Sequence, residues 1–343
     1  MPLLPFLHQV VERRNLTSAE AEQAMQAILQ GEASTAQIAA FLVALRMKGE
    51  TAAELVGFAR AMRAHARHVP VQLGEEPLLD TCGTGGDGLA TFNISTAVAF
   101  VVAGAGVRVA KHGNRSISSR CGSADVLEAL GVELLTDPHQ MAEAIERVGI
   151  GFLFAPALHP AMKHAQPARL ELKLPTVFNL LGPLTNPAGA TRQLVGASSR
   201  RAARLMAEAL SELGVQLAFV VHGEDGLDEV SISSPTAVWE VRPGEVRELR
   251  VEPETFGLRR SPLDSLRGGD AEHNAKILRD VLQGEPGPPR DAVLANAAVA
   301  LVAAGKAADF SAGVRLATEA IDSGAAWQKL EDLARFTRLL GSS

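Results

Sequence analysis

Several classes of protein are excluded by what this 343-residue sequence lacks. Two cysteines, Cys82 and Cys121, are too few for a disulfide framework or a set of zinc ligands, so both are expected to be small buried residues. A formal net charge of −6 argues against a protein that coats nucleic acid, which would carry a basic face. The longest apolar run, from Ala97 to Val107, is too short and too broken by glycine to span a bilayer, and no signal segment opens the chain. We therefore expect a cytoplasmic protein that binds neither nucleic acid nor membrane.

The first seventy residues are predicted to form four helices. Three segments share the capping-box pattern, in which a serine or threonine precedes a glutamate or glutamine by three positions: Thr17 with Glu20, Ser34 with Gln37, and Thr51 with Glu54. Apolar residues such as Phe41, Leu42 and Leu45 repeat at helical spacing. These patterns indicate a helical layer with one buried face and no obvious chemistry.

From Leu78 onward, short strands alternate with helices, which is typical of an α/β domain with a largely parallel sheet. The predicted strands cover residues 78–81, 107–111, 150–154, 193–197, 217–222 and 238–241. A proline-punctuated stretch from Pro160 to Pro187 interrupts the alternation and is expected to pack on the helical layer. We therefore predict a small helical domain over residues 1–72, joined by about 162–190, and a large α/β domain over 73–161 and 191–343.

The most informative stretch is the glycine-rich loop after the first predicted strand. It runs from Asp80 to Gly88 and leads to Ser95-Thr96, where a helix can start. A glycine turn before a helix N-terminus exposes backbone N–H groups to one small volume, which suits phosphate. The acid within the loop, Asp87, would repel a bare pyrophosphate. Its presence therefore indicates a divalent cation between the two.

A dinucleotide site is the main alternative for this loop. Gly83, Gly85 and Gly88 satisfy the G-x-G-x-x-G fingerprint between a strand and a helix. That fingerprint also needs an acid at the end of the next strand to hold the ribose hydroxyls, whereas here the next strand ends in Lys111-His112. A cation in the place of the acid disfavours the nicotinamide interpretation.

Two further segments place charged or polar groups at the ends of predicted strands. The loop from Lys111 to Ser119 supplies a cation, an amide and several hydroxyls, and Ser123 starts another helix beside it, which together favour phosphate. Asp228-Glu229 are adjacent hard oxygen donors of the kind that Mg²⁺ takes, whereas Glu224 and Asp225 are expected to be surface charges. Without a Ser-His-Asp arrangement or a nucleophile elbow, such a site is predicted to act by positioning and electrostatics.

Five motifs in this order resemble those of anthranilate phosphoribosyltransferases: Gly83–Asp87, Asn93–Thr96, Lys111–Arg115, Gly182–Pro187 and Asp228–Glu229. The resemblance implies transfer of a phosphoribosyl group from phosphoribosyl pyrophosphate to the amine of anthranilate in tryptophan biosynthesis, by a magnesium-dependent pentosyltransferase. It also implies the nucleoside phosphorylase-like fold, with a small N-terminal helical domain hinged to a large α/β domain. The usual state of such enzymes is a homodimer.

The resemblance assigns residues of this chain to three groups of contacts and leaves no residue as a general base. Phosphoribosyl pyrophosphate would be bound by Gly83, Gly86, Asp87, Thr91, Asn93, Ile94, Ser95, Thr96, Lys111, His112, Gly113, Asn114, Arg115, Ser116, Ile117, Ser118, Ser119 and Ser123. Anthranilate would meet Gly83, Asn114 and Arg169, with His112, His159 and Pro183 lining its pocket. Two Mg²⁺ ions are implied, one on Ser95 and Glu229 and the other on Asp228 and Glu229.

The sequence departs from the family pattern at Leu172–Thr176 and, conservatively, at Cys121, where serine is frequent, and it leaves two other functions to consider. The family commonly has Leu-Gly-x-Arg-Thr where this chain has Leu172-Lys-Leu-Pro-Thr176, which affects a helix end and one cation. A pyrimidine nucleoside phosphorylase would need no paired acids for magnesium, so Asp228-Glu229 count against it. A non-catalytic nucleic-acid-binding relative would be basic and would have degraded glycine motifs, unlike this chain.

Overall fold

The N-terminal layer is helical, as its capping motifs predict. The computed structural model describes residues 2–116 and 120–341. The layer contains α1 (Leu4–Val11), α2 (Ser18–Leu29), α3 (Thr35–Lys48) and α4 (Ala52–His65). All three predicted capping boxes form at the starts of α2, α3 and α4, with both reciprocal hydrogen bonds present in each.

A single sheet forms the centre of the large domain in the described residues. Its strands are β1 (Leu78–Asp80), β2 (Arg108–Gly113), β3 (Ile150–Phe154), β4 (Arg192–Gly196), β5 (Leu217–Gly223), β6 (Thr236–Arg242) and β7 (Glu245–Val251). They lie in the order β3-β2-β1-β4-β5-β6-β7, parallel from β3 to β5 and antiparallel at β6 and β7. The predicted α/β class with a largely parallel sheet is confirmed. The sequence interpretation missed β7, because its charged, exposed residues form an edge strand without an apolar pattern.

Helices cover the sheet and fill the C-terminal third. They are α5 (Ile94–Gly104), α6 (Ser123–Ala129), α7 (Pro138–Arg147), α8 (Ala155–Leu158), α9 (Gln166–Leu172), α10 (Phe178–Leu181), α11 (Arg200–Glu212), α12 (Ala271–Leu282), α13 (Pro288–Ala303), α14 (Phe310–Asp322) and α15 (Ala325–Gly341). Short 3₁₀ turns occupy Pro160–His164, Gly182–Leu184, Pro253–Phe256 and Leu263–Leu266. None of the helices described is long and apolar enough to cross a membrane.

Two apolar cores lie on opposite faces of the sheet. One contains α5 and α13 with the sheet residues that face them. The other joins Phe41 and Phe58 of the helical layer to Phe178 of the proline-punctuated stretch, and continues to Met206 of α11 and Trp239 of β6. The helical layer is therefore packed through α11 onto the sheet. The exact domain boundaries remain a prediction.

The order of the strands determines where a ligand can bind. From β1 the chain moves to β2 and β3 on one side, and then returns to β4 and β5 on the other side. In open α/β sheets, the crevice at such a reversal, outside the carboxyl ends of the strands, is the usual ligand site. Here that crevice lies beyond Asp80 of β1 and Gly196 of β4.

Candidate functional site

The glycine-rich loop leaves β1 directly into this crevice and is held at both ends. Thr84 donates its N–H to the Gly196 carbonyl oxygen at 2.8 Å, while Phe92 donates its N–H to the Leu266 carbonyl oxygen at 3.0 Å. Between these anchors, Gly85 and Gly86 are exposed and have φ values of 61° and 80°, which favour glycine. The loop thus presents backbone rather than side chains, as an anion site requires. The helix that follows, α5, begins at Ile94, slightly earlier than predicted.

Lys111 lies beneath this loop and is 3% exposed. Its Nζ donates to the Thr81 carbonyl oxygen at 2.9 Å and to the Ser95 Oγ at 3.3 Å. The cation therefore links the end of β2 to the first turn of α5. It places a positive charge behind the predicted phosphate and metal residues.

A buried carboxylate that the sequence interpretation did not assign lies beside Lys111. Asp80 accepts hydrogen bonds from the His112 N–H at 3.1 Å and from the Asn186 side-chain amide at 2.8 Å. Burial raises the pKa of Asp80 to about 6, and the charge of Lys111 opposes that rise. Asp80, Cys82 and His112 lie within 4.8 Å of one another. Burial also raises the pKa of the Cys82 thiol, which keeps it protonated when no metal is bound.

The predicted acid pair reaches the same crevice from the loop between β5 and β6. A Cβ atom added to Gly196 would lie 1.7 Å from the Asp228 carbonyl oxygen, so only glycine permits this approach. A Cβ atom on Gly83 would lie 3.5 Å from the Asp228 carboxylate. The structure therefore brings Asp228 against the glycine-rich loop, as the sheet-edge argument expects.

The three acids of the crevice repel one another. Burial raises the pKa of Asp228 to about 7, and the nearby Asp87 carboxylate adds to the rise. Burial and the charge of Asp228 raise the pKa of Glu229 well above its usual range, against the opposing charge of Lys111. One oxygen of Asp87, Oδ2, is buried without a hydrogen-bond partner among the described atoms. Oxygen donors whose negative charge is only partly offset, here by Lys111, are what a bound Mg²⁺ ion needs, so these residues fit the predicted metal.

Glu224 and Asp225, which the sequence analysis treats alike, differ in the structure. Glu224 is exposed and pairs with Arg250, as expected of a surface charge. Asp225 is instead half-buried and accepts a hydrogen bond from the Ser231 hydroxyl at 2.6 Å and another from the Ser233 hydroxyl. The surface prediction for Asp225 is therefore wrong, because these serines fold back over it.

The second predicted phosphate loop begins at the end of β2 and is organised by acids. Arg115 forms ion pairs with Asp125 and Glu128, and its guanidinium donates to Glu128 at 2.7 Å. Ser123 exchanges hydrogen bonds with the Asn114 backbone at 3.2 Å, and Gly122, not Ser123, caps α6. Ile117, Ser118 and Ser119 lie outside the described residues. Phosphate contacts from this loop therefore remain a prediction.

Two buried histidines, His112 and His159, lie against each other near the end of β2. The rings of His112 and His159 lie 5.2 Å apart, and burial lowers the pKa of His112 to about 3 and that of His159 to about 4. His112 Nδ1 lies 3.1 Å from the Gly182 carbonyl oxygen, which can only accept, so Nδ1 carries the hydrogen. The Nε2 atoms of both rings are buried without a hydrogen-bond partner in the part of the chain that the structure describes. His112 Nε2 is therefore an acceptor available to a ligand.

Arg169 on α9 provides a cation that has no acid to pair with in residues 2–116 and 120–341. Its guanidinium lies 5.2 Å from the Phe178 ring centroid. Burial lowers the pKa of this group. Pro183, also predicted for the acceptor pocket, is buried in the turn whose Gly182 carbonyl faces His112.

Known proteins match the whole chain. Residues 4–66 match the glycosyl transferase family helical bundle domain, and residues 75–327 match the a/b domain of the same family. An anthranilate phosphoribosyltransferase of Solibacter usitatus is 61% identical over 98% of this chain and 99% of its own length. The crystal structure of anthranilate phosphoribosyltransferase from Thermus thermophilus is 47% identical, with a TM-score of 0.92 over 98% of this chain and 100% of that one.

This chain belongs to the anthranilate phosphoribosyltransferase family. The resemblance drawn from the five motifs is confirmed, and the nucleoside phosphorylase and nucleic-acid-binding alternatives are not favoured. The Saccharomyces cerevisiae member, solved in complex with PRPP and Mg, is 30% identical, with a TM-score of 0.90 and 98% of each chain covered.

The departure from the family pattern has a structural consequence. Lys173 ends α9 with a φ of 49° and a ψ of 32°, a left-handed conformation that favours glycine. The side chain at this position is exposed. The substitution therefore affects the backbone at the helix end and leaves Arg169, one turn earlier, in place.

Proposed function

We propose that this protein transfers the phosphoribosyl group of phosphoribosyl pyrophosphate to the amine of anthranilate, giving N-(5-phosphoribosyl)anthranilate and pyrophosphate. The observation that carries the proposal is the set of three acids gathered at the glycine-rich loop, whose charge Lys111 offsets only in part. A metal-dependent, doubly phosphorylated donor suits this arrangement. The half-buried Arg169, which has no acid partner among the described residues, and the two neutral histidines suit a small aromatic carboxylate.

The donor would bind across the glycine-rich loop and the start of α5. Backbone N–H groups around Gly85 and Gly86 would contact the pyrophosphate, with Thr91, Asn93 and Thr96 around the ribose. Lys111 orients Ser95 and offsets part of the negative charge of Glu229.

We assign Ser95, Asp228 and Glu229 to two Mg²⁺ ions, with Asp87 close to them. When bound, Mg²⁺ neutralises charge on the departing pyrophosphate. The protein holds the carboxylates of Asp87, Asp228 and Glu229 close together although they repel one another, and bound cations would relieve that repulsion.

The acceptor would be positioned by Arg169, whose planar fork suits a carboxylate, and by Asn114. In the reaction, the amine nitrogen bonds to the anomeric carbon as the bond from that carbon to pyrophosphate breaks. Pyrophosphate leaves with the electron pair, and the nitrogen then gives one proton to water. An arylamine is neutral at physiological pH, so no strong base is needed. Burial lowers the pKa of both His112 and His159, so these neutral rings place no competing positive charge beside Arg169.

The test is a fluorescence assay of anthranilate consumption with phosphoribosyl pyrophosphate and Mg²⁺. Consumption should require both the donor and the metal, and should stop with excess chelator. A parallel assay with a pyrimidine nucleoside and phosphate should show no phosphorolysis. Phosphorolysis without anthranilate consumption would overturn the proposal.

We also propose that the protein is a cytoplasmic homodimer that uses the helical layer as its interface. Three exposed apolar side chains, Val11, Met47 and Leu170, lie on α1, α3 and α9, and α3 contacts both of the other helices. An exposed apolar group of this kind favours contact with a second copy. Light scattering after size-exclusion chromatography should give twice the 36.1 kDa chain mass, and Met47→Glu should reduce it.

A further inference from the structure

The acidic loop between β5 and β6 must hold like charges close together. It carries Asp228 and Glu229, whose charges repel each other and that of Asp87. The position of this loop against β4 is tightly defined, since a Cβ atom added to Gly196 would lie 1.7 Å from the Asp228 carbonyl oxygen. The structure supplies restraints from two directions, and neither uses the side chains of the predicted ligands themselves.

The first restraint is Asn296, a fully buried polar residue in the middle of the apolar helix α13. Its Oδ1 accepts the N–H of Val230 at 2.8 Å, and its Nδ2 donates to the Val230 carbonyl oxygen at 3.0 Å. Nδ2 also donates to the carbonyl oxygen of Ala292, one turn earlier in the helix, at 2.9 Å. Asn296 thus binds both backbone groups of the residue after Glu229, as a neighbouring strand would.

The second restraint is Asp225 with its serines. Ser231 donates its hydroxyl to Asp225 at 2.6 Å, and its N–H goes to the Thr236 hydroxyl at 2.9 Å. The N–H of Asp225 in turn donates to the Ser234 hydroxyl at 3.1 Å. This network closes the far side of the loop, so Asp228 and Glu229 project from a segment fixed at both ends.

We propose that Asn296 is a positioning residue for the metal-binding acids, and that Asp225 supports it from the other side of the loop. The proposal rests on the proposed function, because it assigns the restraint to the Mg²⁺ sites. Without Asn296, the Val230 N–H and carbonyl would be buried without partners, and the loop would shift to satisfy them elsewhere. Metal binding would then have to order the loop as well as neutralise the acids.

The experiment compares Asn296→Ala with Val299→Ala. Val299 is fully buried on the same helix, so its truncation should loosen α13 without removing a bond to the loop. Mn²⁺ binding in the presence of phosphoribosyl pyrophosphate is followed by the loss of the free-ion electron paramagnetic resonance signal. We expect Asn296→Ala to weaken Mn²⁺ binding at least about tenfold, as loss of an outer-sphere partner does elsewhere, and Val299→Ala to leave it unchanged.

Equal Mn²⁺ affinity in wild type and Asn296→Ala would overturn the proposal, and so would an equal loss in both helix variants. If Asn296→Ala does not fold, Asp225→Ala takes its place, with Glu224→Ala as the matched control on the exposed neighbour. Asp225→Ala should then weaken Mn²⁺ binding severalfold while Glu224→Ala does not, and equal affinities would overturn the proposal. Absence of Mn²⁺-dependent donor binding in the wild type would instead overturn the proposed function itself.

Discussion

Charged side chains removed from solvent have different partners in the helical layer and in the crevice. In the helical layer, Lys48 and Glu54 are almost fully buried and form an ion pair at 2.9 Å. Lys48 also donates to Asn15, and Glu54 accepts the N–H groups of Leu16 and Thr51. Both charges have protein partners, so the pair is a structural feature.

In the crevice, Lys111 offsets only part of the negative charge of the acids. Asp228 faces Asp87, and the Oδ2 atom of Asp87 has no hydrogen-bond partner in residues 2–116 and 120–341. The Arg169 guanidinium has neither an acid nor a hydrogen-bond partner in the same residues. Unpaired buried charge is costly to a folded chain and is retained where a ligand supplies the missing partner. The contrast between the two regions therefore indicates that missing partners, more than residue types, mark the proposed substrate site.

The largest expected effect comes from removing one of the repelling acids. Asp228→Asn should lower anthranilate consumption by about a hundredfold or more, because a proposed metal ligand is lost. The same change should raise the melting temperature of the chelator-treated protein at pH 8 by about 1–4 °C. In the wild type, burial raises the pKa of Asp228 to about 7 in the folded state, so its ionisation destabilises the fold as pH rises towards 8.

Scanning calorimetry at pH 8 and pH 5 checks the direction of the predicted change in melting temperature. The stabilising effect of Asp228→Asn should shrink at pH 5, where the wild-type carboxyl is protonated in the folded state. Asp264→Asn, at an exposed position, is the matched control and should change neither property. A lower melting temperature for Asp228→Asn at pH 8 would contradict the inference that repulsion among the crevice acids destabilises the fold.

The next largest effect is expected in the helical layer. Lys48→Met leaves Glu54 buried without its cation and should reduce the free energy of unfolding by about 3 kcal/mol. Urea denaturation measures this loss, and the KM values of both substrates at a temperature well below melting should stay unchanged. Lys276→Met, which breaks an exposed pair with Asp280, should have little effect. A selective rise in one KM for Lys48→Met would contradict the assignment of a purely structural role to the Lys48–Glu54 pair.

Arg169 tests the proposed acceptor site. Arg169→Ala should raise the anthranilate KM by about tenfold or more, with a much smaller change for phosphoribosyl pyrophosphate, because the proposed bond from this half-buried guanidinium to the anthranilate carboxylate is lost. Arg147→Ala, an exposed arginine that also lies over an aromatic ring, is the control. Equal increases for both substrates would remove Arg169 from the acceptor pocket.

Sequence reasoning succeeded where a local pattern determines a local structure. The capping boxes predicted the first helices, and the glycine and acid motifs at strand ends predicted the crevice. It missed interactions between distant segments. Asp80 and Asn186, or Val230 and Asn296, meet only after folding, and a buried asparagine in an alanine-rich helix has no local signature. The charged edge strand β7 was missed for a related reason, since only its pairing with β6 makes it a strand.

The smallest effect is expected at Lys173, which lies one helical turn after Arg169 but is exposed. An unpaired cation in water costs little, so the comparison predicts no change in either KM for Lys173→Gly. The backbone should benefit instead, because glycine adopts the left-handed φ of 49° without strain, and we expect a gain of up to about 1 kcal/mol in the free energy of unfolding. Lys173→Ala removes the same charge but keeps the Cβ atom, so it should show no gain. Equal stabilities for the two variants in urea would show that the left-handed helix end carries no strain.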